Sequence, residues 1–145
     1  MKNDKGTARL AAQFLSFSVV GGIGFLIDAG VFFALTSFLL WSIAAARAVS
    51  ASASISATWA MNRATTFADS RSARRGPEFA RYVFVQLGGL GVNLGVFALA
   101  LWIAEPLRRV PIVALAIGSL TALVFNFVSA RVLVFSSAPV RRPLR

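Results

Sequence analysis

The chain has 145 residues, 57% of them hydrophobic, with 15 Lys or Arg set against 5 Asp or Glu. A soluble domain carries about 25% charged residues, whereas the charge here is 14% and lies between long apolar runs, which makes the bilayer the natural solvent. With no His and no Cys, imidazole acid–base chemistry, thiol nucleophiles, disulfides, thiolate or imidazole metal sites and haem or Fe–S ligation drop out. The chain is therefore expected not to be an enzyme and to need no cofactor.

Four segments meet the roughly 20 mainly apolar residues that a membrane helix needs: residues 14–36, 41–61, 79–103 and 111–134. Residues 1–13 then read as an N-terminal tail, 14–135 as the membrane domain and 136–145 as a basic C-terminal tail. The first segment is longer than the apolar part of a secretory signal peptide and is expected to be retained. The second, WSIAAARAVSASASISATWAM, is the least hydropathic because it is mostly Ala and Ser. Small residues let membrane helices approach closely, so it is expected to span and to be the most enclosed.

Orientation follows from Lys and Arg outside the spans. Twelve fall on one side: Lys2, Lys5, Arg9, Arg63, Arg71, Arg74, Arg75, Arg81, Arg131, Arg141, Arg142 and Arg145. Only Arg47, Arg108 and Arg109 fall on the other, which predicts cytoplasmic termini. The net charge of +10 serves this topology, and no nucleic-acid partner is expected because no aromatics interleave with the basic residues as a nucleic-acid interface requires.

An internal repeat appears when residues 14–32 are laid over 79–97. Phe14 meets Phe79, Val20 meets Val85, Gly24 meets Gly89, Asp28 meets Asn93, and Gly30-Val31-Phe32 meets Gly95-Val96-Phe97. At an offset of 68 the second helices match, Arg63 on Arg131 and Phe67 on Phe135. The expected fold is thus an all-α integral membrane protein with four transmembrane helices arranged as two parallel-repeat hairpins. A site would lie between the halves.

Asp28 is the most informative residue. An ionisable group near the middle of a span costs about 2.5–3.5 kcal/mol on insertion scales and usually faces the bundle interior. It either lines a polar path with Asn93 or accepts interhelical hydrogen bonds from the Ser-rich second helix. Arg47, early in the second span, can neutralise Asp28, meet a head group or snorkel. At the ends of the even-numbered spans, Asn62 with Arg63 and Asn126 with Arg131 offer amides and guanidinium forks suited to phosphate. Arg beside aromatics is also an ordinary interfacial anchor, and the asparagines can cap or cross-link helices. The glycines of VVGGIGF and QLGGLGV read as packing positions, and Arg71, Arg74 and Arg75 as solvated topology determinants that touch anionic lipid.

The run GGIGFLIDAG at residues 21–30, the ending NRATTF at residues 62–67 and the four short spans resemble the GtrA-like family over residues 14–135. The family's usual second motif has Trp before Thr-Phe, where this chain has Thr65. The resemblance implies a multi-pass protein of the bacterial cytoplasmic membrane that flips a polyprenyl-phosphate-linked monosaccharide for cell-envelope glycan synthesis. It implies a separate membrane glycosyltransferase as partner, since no such domain is present, and four helices suggest a homodimer on size grounds. On this reading Arg63 and Arg131 receive the lipid phosphate, while Asp28, Asn93 and the Ser-rich helix line the path. With no ATP-binding motif, an ion gradient carried through Asp28 or downstream consumption of the lipid would drive it. Two rivals are an adaptor that recruits a glycosyltransferase through its basic loop and a small multidrug exporter, against which the charge bias and NRATTF count.

Overall fold

A computed structural model describes residues 2–136, with side chains from Gly6 onward. The C-terminal tail of the sequence reading, with Arg141, Arg142 and Arg145, lies outside the described residues. Everything described is helix, turn or irregular, with no strand. The chain forms two compact units that divide between Arg71 and Ser72. Each is a helical hairpin.

In the first hairpin, α1 (Lys2–Ser37) packs on α2 (Ile43–Ala64). α1 begins at Lys2, so the segment read from sequence as an N-terminal tail is helical from that residue. The connection is short because Leu40 turns the chain at φ 52° while the Trp41 amide donates back six residues to the Leu35 carbonyl at 3.0 Å, a bond that closes the helix end over a left-handed residue. Ser42 then caps α2 by accepting from the Ala45 amide.

The second hairpin runs α3 (Arg75–Ile103), a short α4 (Glu105–Arg109) and α5 (Pro111–Ser129), and α5 continues into a π-helical turn at Ala130–Val134. Arg108, read from sequence only as a loop charge, donates to the carbonyls of Leu101 and Trp102 at 2.6 and 3.1 Å. Those carbonyls lie in the last turn of α3, where intrahelical donors run out.

Among the described residues three helices are long and apolar enough to cross a membrane: Gly6–Ser37, Arg75–Ile103 and Pro111–Val134. α2 is long enough, at about 33 Å by 1.5 Å per residue, but falls short in hydropathy. Its hydroxyls are nonetheless satisfied within the helix, Ser52 donating to the Ala48 carbonyl at 2.7 Å, Ser56 to Ser52 and Thr58 to Ser54 at 2.8 Å. Such back-bonding to the preceding turn removes most of the cost of hydroxyls in a low-dielectric setting.

Both hairpins are built inside out relative to a soluble protein. Ala46, Ser50, Thr58 and Asn62 are buried, while Phe25, Leu26, Phe33, Phe84 and Trp102 point outward. Large outward apolar side chains over small and polar helix contacts are what lipid as solvent permits. The duplication extends to the packing. Phe17 meets Phe67 edge-on with centroids 6.2 Å apart, and the equivalent Tyr82 meets Phe135 at the same 6.2 Å. Ala46 and its equivalent Ala114 are both fully buried.

Candidate functional site

The helices of each hairpin meet at a glycine. A Cβ on Gly24 would strike the Thr58 side chain, and one on Gly89 would strike the Asn126 amide. The second-helix offset of 68 carries Thr58 onto Asn126, so the two crossings are the same crossing. One turn later in each odd helix the repeat positions diverge.

In the first hairpin this level holds a charge pair. Arg47 Nη1 lies 2.8 Å from Asp28 Oδ2, with the side chains 54% and 20% exposed, and the guanidinium sits 5.6 Å from the Phe32 ring centroid. Ser50, also at this level, donates to the Arg47 carbonyl at 3.2 Å. Below it, Ser54 Oγ donates across the hairpin to the Gly24 carbonyl at 2.8 Å. Of the three readings open to Arg47 from sequence, the geometry supports neutralisation of Asp28. The Asp28 carboxylate keeps one buried oxygen, Oδ1, with no hydrogen-bond partner.

In the second hairpin the equivalent of Asp28 is Asn93, and it faces Gly118, where Ser50 stands in the first. Asn93 Oδ1 and Asn126 Oδ1 are buried without a hydrogen-bond partner. Gln86 adds a third such oxygen, Oε1, while its amide donates to the Tyr82 hydroxyl at 3.5 Å. Gln86 and Asn93 are seven residues apart and so share a face of α3, roughly 10 Å from end to end. Asn126 reaches that helix at Gly89, between them. The sequence reading missed Gln86 because its repeat counterpart is Gly21. An amide inside an apolar span was the available signal.

Arg63 and Arg131 occupy one geometry. The Phe67 amide donates to the Asn62 carbonyl at 2.8 Å and the Phe135 amide to the Ala130 carbonyl at 2.9 Å. Both bonds reach back five residues, the π-type spacing found mostly as single turns and often at functional sites. Each arginine follows the accepting residue directly. The wide turn buries the aromatic that follows, Phe67 or Phe135, both 1% exposed, and leaves the arginine at the hairpin end. Arg63 additionally lies 5.9 Å over the Trp59 ring. Asn62 is buried at this turn, whereas its equivalent is Ala130, so the amide is a feature of the first hairpin only.

Two further polar anchors near this end escaped the sequence reading. Glu78 is 1% exposed and accepts from the Ser72 amide at 2.5 Å, which ties the loop before α3 to its first turn. Its repeat counterpart Gln13 donates to the Thr66 carbonyl at 3.4 Å. Among the described residues no cluster of His, Asp, Glu or Cys could hold a metal.

The geometry is that of a small helical membrane protein with buried acceptor oxygens inside its hairpins and an arginine at the matching end of each. The family model described as GtrA/DPMS, transmembrane domain, matches residues 16–135, and the chain belongs to this family. It is a multi-pass membrane protein of a family tied to lipid-linked sugar processes. The curated proteins contain no match to it.

Proposed function

We propose that the protein moves a polyprenyl-phosphate-linked monosaccharide across the bacterial cytoplasmic membrane, for cell-envelope polysaccharide synthesis or glycosylation, without catalysing a covalent step. The observation that carries this reading is the set of buried amide oxygens without donors in the second hairpin, Gln86 Oε1, Asn93 Oδ1 and Asn126 Oδ1. An unsatisfied buried polar group costs about 1–3 kcal/mol, and such groups call for an explanation. Sugar hydroxyls are donors in need of acceptors within hydrocarbon. Arg63 and Arg131, each on its own π-type turn, are placed to take the lipid phosphate as bidentate forks. α2 crosses the bilayer in this reading, since its hydroxyls are satisfied internally, and the positive-inside bias puts the arginine ends and the N-terminus in the cytoplasm. The prenyl chain stays in lipid, and a separate membrane glycosyltransferase supplies or consumes the substrate.

A second reading is favoured by the Asp28–Arg47 pair, which holds that carboxylate in a structural contact, and by the exposed Arg71, Arg74 and Arg75. In it the protein is an adaptor for a glycosyltransferase. The deciding experiment reconstitutes the protein in liposomes with a short-chain prenyl-phosphate hexose and measures appearance of sugar at the outer face. Translocation that falls at least tenfold in Arg63→Gln, Arg131→Gln or Asn93→Leu supports transport. Rates equal to protein-free liposomes, with a glycosyltransferase lost from the membrane extract only when the three loop arginines are replaced, establish the adaptor instead.

A further inference from the structure

Each hairpin carries a groove, and the two grooves share repeat positions. The first, of about 510 Å³, is lined by Ala12, Leu15, Ser16, Val19, Val20, Ile23, Met61 and Thr65. The second, of about 240 Å³, is lined by Arg81, Phe84, Val85, Phe125, Ser129 and Leu133. The repeat carries Ser16 onto Arg81, Val19 onto Phe84, Val20 onto Val85, Met61 onto Ser129 and Thr65 onto Leu133. The grooves are one feature, made neutral once and cationic once.

The difference has a chemical meaning. In the first groove the Ser16 hydroxyl is taken up by the Thr66 hydroxyl at 2.8 Å. In the second, Arg81 is exposed and makes no hydrogen bond or ion pair among the described residues, while Ser129 lines the groove deeper on the facing helix. Depth also fits. α3 has 29 residues, about 43 Å at 1.5 Å each, so it exceeds a hydrocarbon core of about 30 Å by about 13 Å. Arg81 lies six residues in from the start of α3, about 9 Å along its axis, at the level of lipid head groups. Below it Phe84, Val85, Phe125 and Leu133 form an apolar slot.

We propose that the groove of the second hairpin is a binding site for an anionic phospholipid, with the phosphate on Arg81 and one acyl chain running inward along Leu133, Phe84 and Phe125. A basic pocket between membrane helices on one face is the usual form of such recognition. A single guanidinium matches the single charge of a phosphodiester lipid, and the bilayer supplies that lipid in excess. The first groove, with no cation, takes lipid without regard to charge. This site is separate from the proposed sugar path and stands or falls independently of it.

Native mass spectrometry of the full-length protein in mild detergent tests this, with palmitoyl-oleoyl phosphatidylglycerol and phosphatidylcholine added in equal amounts. One added lipid is expected to show about a fivefold preference for phosphatidylglycerol, the worth of one basic residue at a membrane surface. Arg81→Gln should lower the preference while leaving the thermal transition in place. Arg81→Lys should keep part of it, Arg109→Gln at the other end of the hairpin all of it, and Ser16→Arg should create a second preferred site. Equal binding of the two lipids by the wild type would overturn the proposal, as would a preference unchanged in Arg81→Gln. A prenyl phosphate that displaces phosphatidylglycerol from the wild type but not from Arg81→Gln would overturn it too, by making the groove a substrate site.

Discussion

Gly118 is the glycine of the second hairpin whose added Cβ would meet backbone of the facing helix, and replacing it with Ala tests that hairpin's register directly. A Cβ there would lie 2.6 Å from Asn93 Oδ1, 2.8 Å from the Asn93 carbonyl oxygen and 3.5 Å from the Phe97 amide nitrogen. The amide can rotate away, but the carbonyl belongs to α3 itself. To regain the 3.4 Å of ordinary contact, α3 must retreat by 0.6 Å at Asn93. Overpacking of this kind costs about 1–3 kcal/mol, and the backbone contact puts Gly118→Ala near the top of that range. Against it stands about 1 kcal/mol gained by Ala over Gly in a helix. The net expectation is a loss of about 1–2 kcal/mol, read as a lower midpoint when helicity is followed by circular dichroism through a dodecyl sulfate titration. Gly95→Ala is the control, because nothing lies within 4 Å of a Cβ there, and it should be neutral or stabilising. A Gly118→Ala protein as stable as the wild type would mean that α3 and α5 do not cross as described.

The Asp28–Arg47 pair should show coupling of about 0.5–1 kcal/mol in a double-mutant cycle of Asp28→Asn and Arg47→Gln, the small value following from an arginine that is half exposed; additive single effects would show that the pair is not formed. Leu40→Gly should stabilise the protein by about 0.5–1 kcal/mol, since the left-handed backbone that costs a side chain about 1–2 kcal/mol costs Gly little, and an unchanged or lower midpoint would argue against the tight turn at φ 52°. Asn93→Asp should be destabilising by about 2.5–3.5 kcal/mol, the cost of a charge at helix mid-depth. Adding Leu115→Arg, the repeat equivalent of Arg47, should recover most of that loss, and failure to do so would mean that the hairpins differ at this level.

The duplication was legible because it survives in residue types that packing constrains. Gly24 and Gly89 recur since each lies under a side chain of the facing helix, and Phe67 and Phe135 recur since each fills the same buried place. The Asp28–Arg47 contact was one of three options because its formation depends on hairpin register, which is set at Leu40, a residue whose identity gives no hint of a positive φ. The π-type turns were invisible for a related reason. The arginine-to-aromatic spacing of four was plain, yet an amide reaching back five residues instead of four is a property of the backbone path. Gln86 has no polar echo in the first hairpin, where its counterpart is Gly21, so the repeat does not mark it. The short hydropathy of α2 shows the converse: its Ser and Thr lower any transfer sum, but donation to the previous turn hides their polarity from the surroundings.

Where the two hairpins differ, the differences fall in a pattern. The first has Asp28, Arg47 and Ser50 where the second has Asn93, Leu115 and Gly118, so one level carries a neutralised charge pair and the other a neutral amide in close backbone contact. At the arginine end the order reverses: the first has Ser16 and Gln13 where the second has Arg81 and the buried Glu78. Packing alone would preserve size and apolarity at these positions and would not sort charge by depth. A charge held deep in one repeat and near the end of the other makes the two hairpins chemically unequal. The neutral amides Gln86, Asn93 and Asn126 supply acceptors without fixed charge along α3 and α5, so they can exchange one hydroxyl donor for another at little electrostatic cost. The ion pair of the first hairpin cannot, because each partner that leaves strands the other.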